Sequence, residues 1–186
     1  MKVSREQVAK NRLNIVVAAS RLFSEKGFDA VTIDEVMKHA GLTRGGFYGY
    51  FASKDALIAE ASAFSATRQA ALPEETFVDY CQRYLSTRHR DNRADGCAFA
   101  ALATEAIRQS PAVRREMTRN LQRMIDDITR LAPGSDIEAR RSAAVKGLSS
   151  MLGGLILARL VDDPELSDSL LAANRDALAK VATSTA

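Results

Sequence analysis

The sequence predicts an all-α protein of about nine helices, and three observations predict it. Apolar residues recur at three- and four-residue spacing through most of the chain, the period of a helix that buries one face. No segment has the strict alternation of a half-buried strand. Most of the periodic stretches follow a Ser, Thr or Pro, and several are ended by Gly or Pro, the chemistry of helix starts and stops. At 186 residues the chain has room for one large or two small domains with a substantial core.

Ser4 and Gln7 form a capping box ahead of a first helix from near Arg5. Its stripe is Ile15, Val16, Ala19, Leu22 and Phe23, and Gly27 ends it. Lys10 and Arg12 read equally well as phosphate contacts or as solvated charges. Phe28 and Val31 close a small core. Thr32 with Glu35 opens a second helix whose apolar face is Ile33, Val36, Met37 and Ala40, and Gly41 stops it. Thr43 then caps another short helix that places Phe47 and Phe51 on one side, as core. Two short helices across a Gly-containing turn make a helix-turn-helix.

The opposite side of that second helix shows Thr43, Arg44, Gly45, Tyr48 and Tyr50, groups suited to phosphates and base edges. Ser53 caps the next helix, and Lys54 in its first turn makes a natural phosphate seat. With Thr32 these are the candidate DNA-binding residues. Gly45, Gly46 and Gly49 each lower helix propensity by about 1 kcal/mol, so the recognition segment is expected to be loosely helical, with no base contact from positions 46 and 49.

The Ser53 helix continues through Leu57, Ile58, Ala61, Phe64 and Ser65 to about Gln69. Pro73-Glu74-Glu75 reads as the start of a helix faced by Phe77, Tyr80, Cys81 and Tyr84. The charged, aperiodic stretch 88–96 reads as a loop, with His89 solvated in it. Gly96-Cys97 starts a helix with Phe99, Leu102, Ala103 and Ala106 inside. Ser110-Pro111 starts a long one striped by Val113, Met117, Leu121, Met124, Ile128 and Leu131, stopped at Pro133-Gly134. Ser135 with Glu138 caps a helix from about Ile137 to Val161 that is apolar on nearly all sides and so must be covered on all sides. Asp163-Pro164 begins the last helix, which carries Leu166, Leu170, Leu171, Leu178 and Val181.

Charge is concentrated at one end. Residues 1–55 hold 9 Lys and Arg against 6 Asp and Glu, whereas residues 56–186 hold 17 of each. A basic head on a neutral body suits a protein that meets nucleic acid at one end. Cys81 and Cys97 lack metal-type spacing, so no metal or cofactor is expected, and a reducing cytoplasm suits them. Cys97 stands between two readings, a reactive thiol at a helix N-terminus and a buried structural one. Met151–Leu160 is interrupted by Gly153, Gly154 and Arg159, and the N-terminal residues lack a secretory apolar core, which predicts a soluble, cytoplasmic protein with no membrane partner. With no phosphate loop, no metalloprotease helix and no nucleophile signature, no enzyme is expected.

The run LFSEKGFDAVTIDEVMKHAGLTRGGFYGYFASKDAL, from Leu22 to Leu57, resembles the N-terminal domain of the tetracycline-repressor (TetR) family of bacterial regulators without a gap. GCAFAALATEA and LARLVDDPELSD resemble a C-terminal domain of one branch of that family. The resemblance implies a homeodomain-like DNA-binding head, residues 1–52, on a helical regulatory and dimerisation body, residues 53–186. It implies a transcriptional regulator, most readily a repressor released from a palindromic operator by a small molecule. A binding or scaffold protein that keeps the fold without reading DNA is the alternative, kept open by the three glycines. Phe64, Phe77, Tyr80, Tyr84, Phe99, Met117, Met124 and Met151 read as plain core or, given the resemblance, as the lining of a pocket for an apolar or aromatic effector. The surplus apolar surface of the last two helices predicts a two-fold homodimer through a four-helix contact, with Leu148, Leu152, Leu155, Leu170, Leu171 and Leu178 at the interface.

Overall fold

The computed structural model describes residues 4–68 and 70–183. Among these the chain forms α1 Arg5–Lys26, α2 Ile33–His39, a 3-10 segment Arg44–Gly49, α3 Lys54–Thr67, α4 Phe77–Tyr84, α5 Thr87–Asp91, α6 Ala98–Ala106, α7 Pro111–Leu131, α8 Ile137–Leu160 and α9 Pro164–Thr183. The protein is all-α, with no strand among the described residues. The expected end of the third α-helix, at Gln69, lies outside them.

Local chemistry accounts for most boundaries. Ser4, Thr32 and Ser53 each accept the amide three residues on, all at 3.1 Å, as capping requires. Gly27 and Gly41 close α1 and α2 at φ +87° and +74°, conformations that cost other residues sterically. One start, one cap and one supposed loop differ from expectation. α4 begins at Phe77, not Pro73, because Thr76 and Asp79 make the full reciprocal capping box, while residues 72–75 turn with Glu74 at φ +63°. α8 is capped by Asp136, which accepts from Ala139 N–H at 2.8 Å, rather than by Ser135. α5, a single turn too short to show a period, runs from Thr87 into the supposed loop 88–96, with only His89 buried.

Packing is continuous from head to body, one apolar cluster running from Ile15 to Leu178. α3 joins the two, packing on α1 and α7 and burying Leu57, Ile58 and Ala61. α6 lies against α1, α3, α7 and α8, and α9 pairs with α8.

The outermost helices place the six leucines expected at the interface partly or wholly inside the protomer. Leu148, Leu155, Leu171 and Leu178 are 3, 0, 0 and 6% exposed, so the protomer's own core already holds them. Leu152 and Leu170 are half-buried. The reason is geometric: on a helix apolar all round, spacing cannot say which face turns inward. The face left outside carries Val145, Ile156 and Leu160 on α8 and Leu166 and Val181 on α9. By helical spacing Val145, Leu152, Ile156 and Leu160 form one stripe, and Leu166, Leu170 and Val181 another. α8 is long and apolar enough to cross a membrane by length and composition, yet Met151, Gly154, Leu155 and Ala158 sit in the protein core.

Candidate nucleic-acid interface

The turn between α2 and the 3-10 segment is closed by Gly41 N–H to Lys38 O at 3.1 Å and Leu42 N–H to Met37 O at 2.9 Å. This locks the second element of the helix-turn-helix onto the first. Phe47 is fully buried and stacks on Phe51 at 5.8 Å between ring centroids. With Phe47 as its anchor, the rest of the segment is turned outward. Three glycines in six residues leave it as a tighter 3-10 coil, and Thr43 makes no capping hydrogen bond.

The candidate residues fall into two groups. Thr43, Arg44, Gly45 and Tyr48 are exposed, Tyr48 at 74%, its ring edge-on to Phe47. Arg44 is placed so that its guanidinium has no partner among the described residues, and a Cβ at Gly45 would meet nothing within 4 Å. Thr32 is exposed too, its hydroxyl accepting from Glu35 N–H. The second group is tied inward. Tyr50 is half-buried and its hydroxyl accepts from Asn11 Nδ2 at 3.0 Å. Lys54 is half-buried and its ammonium donates to the carbonyl of Phe28 at 2.5 Å. That bond makes Lys54 a structural tie before it is a phosphate seat. Arg12 is likewise engaged: it forms an ion pair with Glu60 and lies 4.6 Å over the Phe51 ring. The Glu60 hydrogen bond holds its guanidinium pKa above the usual value.

Two contacts were invisible to sequence reasoning, Asn11 with Tyr50 and Arg12 with Glu60. They join residues 39 and 48 positions apart, and no local spacing signals such a pair.

In the body, Phe77, Tyr80, Tyr84, Phe99, Met117, Met124 and Met151 are buried, and Phe64 is half-buried beneath the Arg68 guanidinium at 4.9 Å. Phe99 and Met117 also line a groove of about 180 Å³ between α6 and α7, beside exposed Ile107 and Arg114. Asn120 Nδ2 and Ser62 Oγ are buried without a hydrogen-bond partner, on α7 and α3, which pack together. His89 is not solvated. Its Nδ1 donates to Tyr84 O at 2.6 Å and its Nε2 accepts from Cys97 N–H at 3.0 Å, the one arrangement a neutral ring can satisfy. Burial lowers its pKa to about 4. Cys97 is 2% exposed, and burial raises its thiol pKa, which favours the structural reading over the reactive one.

The sequence model for bacterial regulatory proteins of the tetR family matches residues 15–61. An uncharacterized HTH-type transcriptional regulator of Mycobacterium tuberculosis is 31% identical over 172 residues, spanning 82% of this chain and 86% of that protein. The chain belongs to the tetR family of bacterial transcriptional regulators. The HTH-type transcriptional repressor AcnR of Corynebacterium diphtheriae is 26% identical over 126 residues, 67% of this chain and 64% of that one. Among solved structures, a TetR transcriptional regulator from Legionella pneumophila superposes with a TM-score of 0.75 at 18% identity, covering 97% of this chain and 98% of that one. One from Chloroflexus aurantiacus gives 0.75 at 21% identity over 96% of each chain. The tetR fold therefore extends well beyond the matched head.

Proposed function

We propose that this regulator is a homodimeric repressor that binds a palindromic operator through Thr43, Arg44, Gly45 and Tyr48 and is released by a small-molecule effector. The observation that carries the DNA reading is the two-sided 3-10 segment: Phe47 is fully buried, while Arg44 and Tyr48 project on the outer side. Arg44 has the geometry of a base-reading group, since guanidinium pairs bidentately with guanine. The glycines let the backbone come close to the phosphates.

Dimerisation is assigned to the exposed stripes of α8 and α9. A patch of this kind invites an isologous contact in which the same four helices meet across a two-fold axis. Two heads then address half-sites about 34–36 Å apart or more.

The effector is assigned to the body, and its chemistry is apolar or aromatic with a polar edge. Each orphaned buried polar atom costs about 1–3 kcal/mol, so a conformation that opens space beside Asn120 Nδ2 and Ser62 Oγ would let a ligand make the hydrogen bonds that the protein alone leaves unmade. Release requires the ligand to prefer the conformation that does not bind DNA, by about 1–3 kcal/mol of coupling. A gel shift against genomic fragments tests the reading. Retarded fragments sharing an inverted repeat are expected. No retardation at any salt concentration would leave the scaffold alternative standing instead.

A further inference from the structure

The residue at the junction of the head is Phe28, in the turn that leads from α1 into the helix-turn-helix. Its backbone N–H and C=O, which belong to successive peptide units, are each held by a charged side chain. Its N–H donates to Glu105 Oε2 of α6 at 2.7 Å, and its carbonyl accepts from Lys54 Nζ of α3 at 2.5 Å. Its ring is fully buried, edge-on to Phe23 with centroids 5.5 Å apart. The neighbouring Gly27 makes the approach feasible: a Cβ there would lie 2.4–2.9 Å from the Glu105 carboxylate, and φ is +87°. The body thus reaches into the head at a point where only glycine leaves room.

The same helix grips α1 at its other end. Asp95, just before α6, pairs with Arg21 of α1 at 3.4 Å and with Arg68, which also donates to Ser20 of α1. Past the end of α6, Gln109 donates to Asp29 at 3.3 Å. α3 runs on from the head as a single rod, and one line of contact leaves rotation about that line open. Contacts from both ends of α6 to the stretch 20–29 supply the second line.

We infer that Glu105 is a positioning residue for DNA recognition: acting through the Phe28 peptide, it fixes the angle of the helix-turn-helix on the body and so sets which half-site spacing the dimer accepts. The inference rests on the dimeric DNA reading above. Spacing is where a loosened head shows itself, because both recognition segments must seat on one duplex together. Contacts inside a half-site do not depend on the angle between head and body, so sequence preference within each half is unaffected.

The test uses full-length protein and a duplex enriched by the wild type from a random pool, resynthesised with one or two base pairs added or removed between the half-sites. The wild type favours its selected spacing. Glu105→Ala lowers that discrimination by about tenfold, the size of one hydrogen bond to a charged group, while leaving half-site sequence preference and dimerisation unchanged. Glu105→Gln keeps an acceptor oxygen and restores the discrimination. If Glu105→Ala yields no folded dimer, Glu105→Asp, which draws the carboxylate back from the Phe28 N–H by one methylene, carries the test: reduced discrimination supports the inference and unchanged discrimination refutes it. Full wild-type discrimination in a folded Glu105→Ala dimer overturns the brace alone. Equal wild-type affinity for every spacing overturns the dimeric reading and the brace with it.

Discussion

Two neighbouring residues of α8 separate the proposed dimer face from the core. Ile156 is 42% exposed and belongs to the outer stripe, whereas Leu155 is fully buried. Ile156→Arg places one guanidinium on each side of a two-fold contact. Burying an unpaired charge costs several kcal/mol per ion, so the symmetric pair costs on the order of 6 kcal/mol or more. At 1.4 kcal/mol per decade, the dimer dissociation constant rises by about four orders of magnitude. The protomer itself hardly changes, because an exposed substitution alters stability by about 0.5 kcal/mol. Leu155→Ala does the reverse. It opens a cavity costing about 2–5 kcal/mol, or a fall in melting temperature of roughly 4–20 °C for a domain of this size, and leaves the contact face intact. Light scattering and melting curves at several protein concentrations distinguish the two. Ile156→Arg is expected to be a folded monomer whose melting temperature no longer depends on concentration. A dimeric Ile156→Arg protein, or a folded monomeric Leu155→Ala, would refute the assignment of faces.

Two further outcomes follow from the geometry. His89 is held neutral, its pKa lowered to about 4 by burial against an ordinary value of 6.5. The unfolded chain therefore binds more protons between pH 4 and 6.5, and stability falls as pH drops through that window, by about 3 kcal/mol in all. Carboxylates such as Glu75 add their own loss in acid, so the expected signature is a difference: urea titrations of wild type and His89→Gln converge in slope above pH 6.5 and diverge below it. At Gly45 a Cβ would meet no atom within 4 Å, and φ there is not left-handed. Gly45→Ala is therefore expected to leave the free protein as stable or up to about 1 kcal/mol more stable. Operator affinity falls at the same time if the backbone approaches DNA at that point, and unchanged affinity in a gel shift would place the contact elsewhere.

The head was legible in the sequence because its signals are local. Capping hydroxyls at Ser4, Thr32 and Ser53, left-handed glycines at 27 and 41, and the four-residue spacing of Phe47 and Phe51 all act within one turn of chain, and the structure places them as expected. The body was legible as helices but not as faces. Around the second half of α8 nearly every direction is apolar, so Leu155 and Ile156 look alike in sequence and differ only through what α9 and the core cover. α5 escaped because a single turn has no period, and His89 reads as a loop residue until Tyr84 and Cys97 are brought beside it. Lys54 and Tyr50 have the right chemistry for DNA, but distant partners at Phe28 and Asn11 engage them first.

Arg44 on the 3-10 segment is proposed to read bases within a two-fold site. Selection of bound duplexes from a random pool, run in parallel with wild type and Arg44→Ala, addresses it most directly. The wild type is expected to enrich an inverted repeat, and Arg44→Ala to lose about 1–3 kcal/mol on that sequence and relax at one symmetric position in each half-site. An enriched sequence without two-fold symmetry, or an identical preference from Arg44→Ala, would contradict it.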